Sequence, residues 1–219
     1  MSAAVAEPDT LADVVHALGD IPLHRILWHP FPGTATEADQ IRCCDGEPKR
    51  LVELIDGILV EKAMGHREGS FAASLIYLLA RHVRPRNLGI LGAPDAIMQM
   101  TTRRNRLADV SFTPWDRLPS DDAHLQTVAR FSGDLMVEIL SSDNTVAEIE
   151  QKRREYFATG TRLVWIIEPE DQTVAVYTSP DDFTLLTRSD TLDGGVVLPG
   201  FTLPLEELFG DPQRNPRPE

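Results

Sequence analysis

The chain has 219 residues, 42% of them hydrophobic and 25% charged, with a formal net charge of −13 at pH 7. That is enough material for one good-sized core, or one domain plus an arm, and no apolar run approaches the roughly 20 residues that span a bilayer. The acidic balance counts against tight sequence-independent DNA binding, which rests on many Lys/Arg–phosphate contacts; it leaves room for a DNA-acting enzyme with a local basic surface.

The first eight residues, Met1 to Pro8, lack the basic start and apolar centre of a secretory signal. The cysteines form one adjacent pair, Cys43 and Cys44, a spacing at which bonding to each other is rare and which offers zinc no third or fourth ligand. A reduced, cytoplasmic protein is expected. Residues 1–50 read as an N-terminal arm: Leu11 to Leu18 predicts a short helix ending at Gly19, and Pro22, Pro30 and Pro32 then prevent a long one. His24, Trp28 and His29 have no recognisable ligand spacing and read as packing or surface residues.

Leu51 to Glu61 carries a hairpin signal, because Asp56-Gly57 supplies the two positive-φ positions of a type I′ turn. Phe71, Leu75, Leu78, Leu79 and His82 recur at three- and four-residue steps and predict a helix over 68–83, with Pro85 and Gly89 beyond its end. Strands are expected at 88–91, 96–100 and 107–113, with polar residues 101–106 as a turn and 115–130 as a loop. Residues 134–140 read as a strand, 145–159 as a helix closed by Gly160, and 162–168 as a second strand. That unit has the length of a parallel βαβ crossover, and its strands are apolar on both faces. An antiparallel pair at 173–178 and 183–187 and a short helix at 205–209 complete the prediction, with 211–219 as a loose tail. The expected fold class is α/β, one domain over 51–210 with the arm before it.

Two strands carry a misplaced charge. Glu138 lies within Leu135-Met136-Val137-Glu138-Ile139-Leu140, and Asp109 within Leu107-Ala108-Asp109-Val110-Ser111-Phe112. A single buried acid is more often structural, for instance the partner of a core arginine. Two on neighbouring strands require a cation between them or a raised pKa. Mg²⁺ accepts one or two carboxylates together with waters and phosphate oxygens. On the following helix, Val146, Ile149, Tyr156 and Phe157 form the apolar stripe, with Lys152 at its edge and Arg153 nearer its centre; spacing alone leaves the choice between the two cations open. Ser141 and Ser142 end the Glu138 strand, where open α/β sheets place their sites. Three basic clusters could contact a backbone phosphate or stand as solvated charge: Arg81/Arg84/Arg86, Arg103/Arg104/Arg106 and Lys152/Arg153/Arg154.

These blocks carry a resemblance. Asp56-Gly57-Ile58-Leu59-Val60-Glu61, Ala108-Asp109-Val110, Val137-Glu138-Ile139-Leu140-Ser141, Lys152 with Tyr156, Gly160, Val164-Trp165-Ile166-Ile167 and Leu198-Pro199-Gly200-Phe201 look like the Uma family, a bacterial group within the PD-(D/E)xK nuclease superfamily. The resemblance runs from about Leu51 to Phe209. It implies a restriction-endonuclease-like mixed sheet flanked by helices, a divalent ion held by Asp109 and Glu138 (Mg²⁺, with Mn²⁺ as substitute), and hydrolysis of DNA phosphodiesters. Departures are visible. Ala108 stands where a proline is usual, and Ser142 where the glutamate strand is usually followed by Ser-Pro. Leu140 stands at the superfamily's lysine position, and the lysine that the family carries on the next helix matches Lys152, which favours it over Arg153. Counting back seven residues from Leu75, to the place of a helix-opening histidine in relatives, gives Glu68, an additional site candidate; an ordinary first-turn acid is the alternative. A homo-oligomer, preferably a dimer, with DNA as substrate and no membrane association is expected. Two other readings remain: a non-cleaving DNA- or protein-binding module, motivated by the net charge, and a structural homo-oligomer whose buried acids pair with Arg153 or another arginine.

Overall fold

The structure is a computed structural model that describes residues 10–210; the start of the expected arm and the expected loose tail lie outside the described residues. Two sheets face each other. The larger has the order β11-β10-β9-β8-β6-β3, built from β3 (Gly89–Gly92), β6 (Val110–Pro114), β8 (Leu135–Ile139), β9 (Leu163–Glu168), β10 (Thr173–Tyr177) and β11 (Phe183–Thr187). The smaller has the order β2-β1-β5-β4-β7, from β1 (Val52–Ile55), β2 (Ile58–Glu61), β4 (Ile97–Thr101), β5 (Arg104–Arg106) and β7 (Val128–Ala129). β12 (Thr191–Asp193) and β13 (Thr202–Pro204) pair separately. This is the mixed α/β architecture expected from sequence. The crossover is present as predicted, β8 and β9 running parallel on either side of helix α4 (Val146–Ala158).

Alternation along β8 divides the core. Leu135, Val137 and Ile139 point into the main cluster with Leu75 and Leu79 of α3 (His66–Val83) and Leu205 of α5 (Leu205–Phe209). Met136 points the other way, into a cluster with Ile149 and Tyr156 of α4 and with Met98 and Met100 of the small sheet. The face that carries Glu138 therefore looks into the seam between the sheets. The hairpin turns as predicted, with φ +50° at Asp56 and +85° at Gly57, and a Cβ at Gly57 would lie 2.4 Å from the carbonyl oxygen of Gly33.

Two expectations need correction. Residues 104–106 are a strand, not a turn. β5 pairs with β1 and β4, and Asn105 and Arg106 are buried. A polar run reads as a loop only while its groups lack partners; Asn105 donates to Gln40 on α2 (Glu37–Asp45), and Arg104 and Arg106 are ion-paired. The strand expected at 107–113 is also divided. Leu107 packs in the small-sheet cluster, whereas Val110 and Phe112 belong to the main core. Asp109 sits where the chain crosses from one sheet to the other.

The segment before β1 docks on both sheets' neighbours. Helix α1 (Leu11–Ala17) carries a capping box between Thr10 and Asp13. Gly19, at φ +86°, abuts the first turn of α4 so closely that a Cβ would lie 2.6 Å from the Glu148 nitrogen. Arg25, 3% exposed, donates to the carbonyls of Glu61 (2.8 Å) and Asp143 (2.9 Å) and to both carboxylate oxygens of Glu148 (2.9 and 2.6 Å). It thus fastens the end of β2 to the start of α4. Breaking a buried pair by removing one partner costs about 3–5 kcal/mol. Arg25→Ala is accordingly expected to lower the urea midpoint by a free energy of that order, whereas Arg154→Ala, in an exposed pair with Glu150 and Asp181, leaves it essentially unchanged.

Candidate functional site

β6 and β8 run antiparallel with Val110 opposite Val137. Asp109 immediately precedes β6, and its N–H donates to the Val137 carbonyl at 2.9 Å, so it lies beside β8 next to Glu138, close enough for its charge to act on that carboxylate. Asp109 is 2% and Glu138 3% exposed. Each is held by specific donors. The Ile139 N–H donates to Asp109 Oδ2 at 2.5 Å, fixing the aspartate across the end of β8. Tyr156 Oη donates to Glu138 Oε1 in a short hydrogen bond, and Lys152 Nζ donates to Glu138 Oε2 at 3.2 Å.

Lys152 lies at the centre of the buried face of α4, with Glu148, Ile149 and Tyr156. Hydrophobicity alone mislocates that stripe, because Val146 is 87% exposed while two charged residues with partners are buried. Arg153 turns elsewhere: its guanidinium lies 4.2 Å over the Tyr177 ring and 3.9 Å from Glu150. The pairing of the buried acids with Arg153 is not found. Of the acids in the seam, the one that meets an arginine is Glu53, paired with Arg106.

Glu53 and Lys62 were not singled out by the sequence reading. Glu53, on β1, points into the seam and lies 3.1 Å from Lys152 and 2.8 Å from Arg106, and it accepts from the Leu107 N–H at 3.0 Å. An acid flanked by Val52 and Leu54 carries the same signal that exposed Glu138, but the hairpin turn masked it. Lys62 follows the last residue of β2. Its ammonium sits 2.9 Å from Asp109 Oδ1 and donates a short hydrogen bond to the Leu107 carbonyl. A lysine after a strand end, beside Glu61, gives no sequence signal of burial.

Three carboxylates (Glu53, Asp109, Glu138) therefore meet three cations (Lys62, Lys152, Arg106) in a buried seam. Burial opposes ionisation of Glu53, yet Lys152 and Arg106 overcome it and hold its pKa at about 2. For Glu138, burial dominates: together with the neighbouring charges of Asp109 and Glu53 it outweighs Lys152 and raises the pKa above the ordinary carboxylate range. Burial works against the Lys152 ammonium, but Glu138 and Glu53 raise its pKa and keep it charged. Burial and the Glu138 charge push the Tyr156 phenol well up, so it stays a donor.

Glu68 occupies the first turn of α3, on the other face of the large sheet. Its Oε2 accepts from the Gly65 N–H at 2.8 Å, a helix-capping contact. Arg67 donates to the carbonyl of Pro169, just beyond β9, so this helix end lies at the sheet edge where β8 also ends. No hydrogen bond joins Glu68 to Asp109 or Glu138 among the described residues. Ser141 turns the chain into α4, its N–H and hydroxyl both donating to Asn144 Oδ1.

Two neighbouring carboxylates are a donor set suited to a hard divalent ion that keeps waters and a substrate phosphate in its remaining positions. Asp109 Oδ1 is buried and makes no hydrogen bond, because the Lys62 contact is an ion pair without hydrogen-bond alignment; that lone pair faces a cation already. Asp109 and Glu138 are the oxygen donors that such an ion would find here. Among the described residues no cluster of three or more acid, histidine or cysteine side chains converges on one point.

The arginine clusters divide. Arg104 and Arg106 are consumed by Asp56, Glu155 and Glu53, and Arg154 by Glu150 and Asp181. Arg81, Arg84 and Arg86 are exposed. Among the described residues no helix is long and apolar enough to cross a membrane.

Comparison with known proteins agrees with this architecture. No curated protein matches the chain. A crystal structure described as a "putative nuclease belonging to DUF820", from Anabaena variabilis, superposes with a TM-score of 0.65 at 20% identity, covering 74% of this chain and 90% of that one; the two share this fold. The Uma2 family, described as "Putative restriction endonuclease", matches residues 38–206. That span takes in both sheets, the crossover and every carboxylate and lysine of the seam, and the chain belongs to the Uma2 family.

Proposed function

We propose that this protein is a divalent-metal-dependent endodeoxyribonuclease, using Mg²⁺ or Mn²⁺, in which Asp109 and Glu138 hold the ion. The observation that carries this reading is the buried approach of those carboxylates where β6 begins beside β8, with the Ile139 N–H on Asp109 at 2.5 Å and Lys152 at 3.2 Å from Glu138. A bound ion would lower the pKa of its water and offset charge gathering on the phosphate. The protein's own groups do the positioning. The Ile139 N–H orients Asp109, Tyr156 orients Glu138, and Lys152 orients the attacking water or steadies the scissile phosphate. Glu53 holds Lys152 in place from the facing sheet. Glu68 assists from the first turn of α3.

A specific observation favours a second reading. The seam is buried and already charge-balanced, as expected of a structural ion-pair network on a nuclease fold that binds without cleaving. The two readings differ in what Glu138 does for stability. Its folded pKa is raised, so the stability contributed by its protonated form is lost as pH rises through that value, and the ionised group opposes folding at neutral pH. A neutral glutamine relieves this cost while Lys152 keeps Glu53. Glu138→Gln is therefore expected to melt no lower than wild type without metal; a clear fall in melting temperature would favour the structural network.

Activity is tested with purified protein, plasmid DNA and Mg²⁺ or Mn²⁺. Loss of an outer partner of a metal ligand costs about 10–100-fold, which is the expectation for Tyr156→Phe. Asp109→Asn and Glu138→Gln should fall below that range, to background. If calorimetry finds no Mg²⁺ or Mn²⁺ binding and Asp109→Asn leaves cleavage unchanged, the nuclease reading fails.

A further inference from the structure

Three cations neutralise the seam, but they are not equally committed. Arg106 is locked by Glu53 and by two contacts to Glu155, with distances of 2.8, 2.7 and 3.1 Å. Lys152 is shared by Glu53 and Glu138 from the middle of a helix. Lys62 has one carboxylate and one carbonyl. It follows the end of β2 and opens the irregular link 62–65, which reaches the surface by Gly65. Its stem is flexible, and its ammonium regains hydration once it leaves.

A divalent ion added to a neutral buried cluster would leave two uncompensated positive charges, a costly state in a low-dielectric setting. Exchange of one ammonium for the ion leaves a smaller excess, which an incoming phosphate can cancel. The exchange site is marked by Asp109 Oδ1, within the seam the carboxylate oxygen that has an ion-pair partner but no hydrogen bond. We propose that Lys62 is a displaceable placeholder for the metal: its ammonium occupies the cation position on Asp109, and metal binding expels it toward solvent. This rests on the metal-site reading above and adds a residue that sets the affinity of that site.

The test compares wild type, Lys62→Met and Lys62→Gln, the last retaining a donor for the Leu107 carbonyl. Each is titrated with Mg²⁺ and Mn²⁺ by calorimetry and melted with and without the ion. Both substitutions leave Asp109 unpaired, so both should melt lower than wild type without metal and regain the loss on adding it. Their metal affinity should rise by at least about tenfold, given the several kcal/mol attached to an uncompensated buried charge. Asp109→Asn combined with Lys62→Gln should abolish both responses. In unaltered protein, Mg²⁺ should increase amine labelling of Lys62, read by peptide mass spectrometry, without increasing that of Lys152; this arm holds even if the variants do not fold. Equal affinities in wild type and variants, or Lys62 labelling insensitive to the ion, would overturn the placeholder role while metal-dependent cleavage still stood. No metal binding in any form would overturn it together with the metal site.

Discussion

The constraint on which this structure depends is the neutralisation of three carboxylates buried where its two sheets face each other. Glu53 comes from the small sheet, Asp109 from the crossing point and Glu138 from the large sheet. Lys62, Lys152 and Arg106 answer them from β2's end, α4 and β5. No single element contains its own compensation. Lys152 bridges Glu53 and Glu138 across the seam, at 3.1 and 3.2 Å, and Arg106 links β5 to β1 and to α4. Coulomb attraction between groups taken out of water is partly spent on their desolvation. The apolar clusters above and below the seam therefore carry the driving force for folding, and the ion pairs fix how the sheets register.

The same constraint explains what the sequence disclosed. Regular elements with a clean apolar period were legible: the hairpin at Asp56-Gly57, helix α3, the β8-α4-β9 crossover and the β10-β11 pair. Asp109 and Glu138 were legible because an acid in an otherwise apolar strand breaks its pattern. What escaped was polarity that is satisfied only in three dimensions. Residues 104–106 look like a turn until Glu53, Glu155 and Gln40 are seen beside them. The buried face of α4 is centred on Lys152 rather than on the residue with the best apolar neighbours. Lys62 and Glu53 act only as members of a set drawn from six places along the chain, and no spacing encodes that set.

The role of the residues before β1 follows from the same geometry. Arg25 joins the Glu61 carbonyl, adjacent to Lys62, to the Asp143 carbonyl and the Glu148 carboxylate at the start of α4. It spans the two ends that flank the seam. Gly19 permits the close approach that lets this segment lie against α4. The described residues of this segment thereby help hold the site's two walls at a fixed separation, although no side chain among them enters the carboxylate cluster.

Net charge and site chemistry are reconciled by where the cations go. A chain with a formal charge of −13 has few to place, and it buries Lys62, Lys152, Arg25 and Arg106, while Arg104 is also tied to acids. Of the cations left outside, Arg67, Arg130, Arg154 and Arg162 are paired with acids, and Arg81, Arg84 and Arg86 sit at the far end of α3, remote from the edge where β8 ends. A nucleic acid cannot then be drawn in mainly by surface Lys/Arg contacts and counterion release. On the metal-site proposal, attraction at the seam itself would come from a cation beyond those already paired there. On the placeholder proposal, a seam whose carboxylates are neutralised by ion pairs, and whose least anchored ammonium gives way to a divalent ion, would become positive only when loaded. Under that arrangement metal and phosphate bind cooperatively, because each relieves the charge imbalance the other creates.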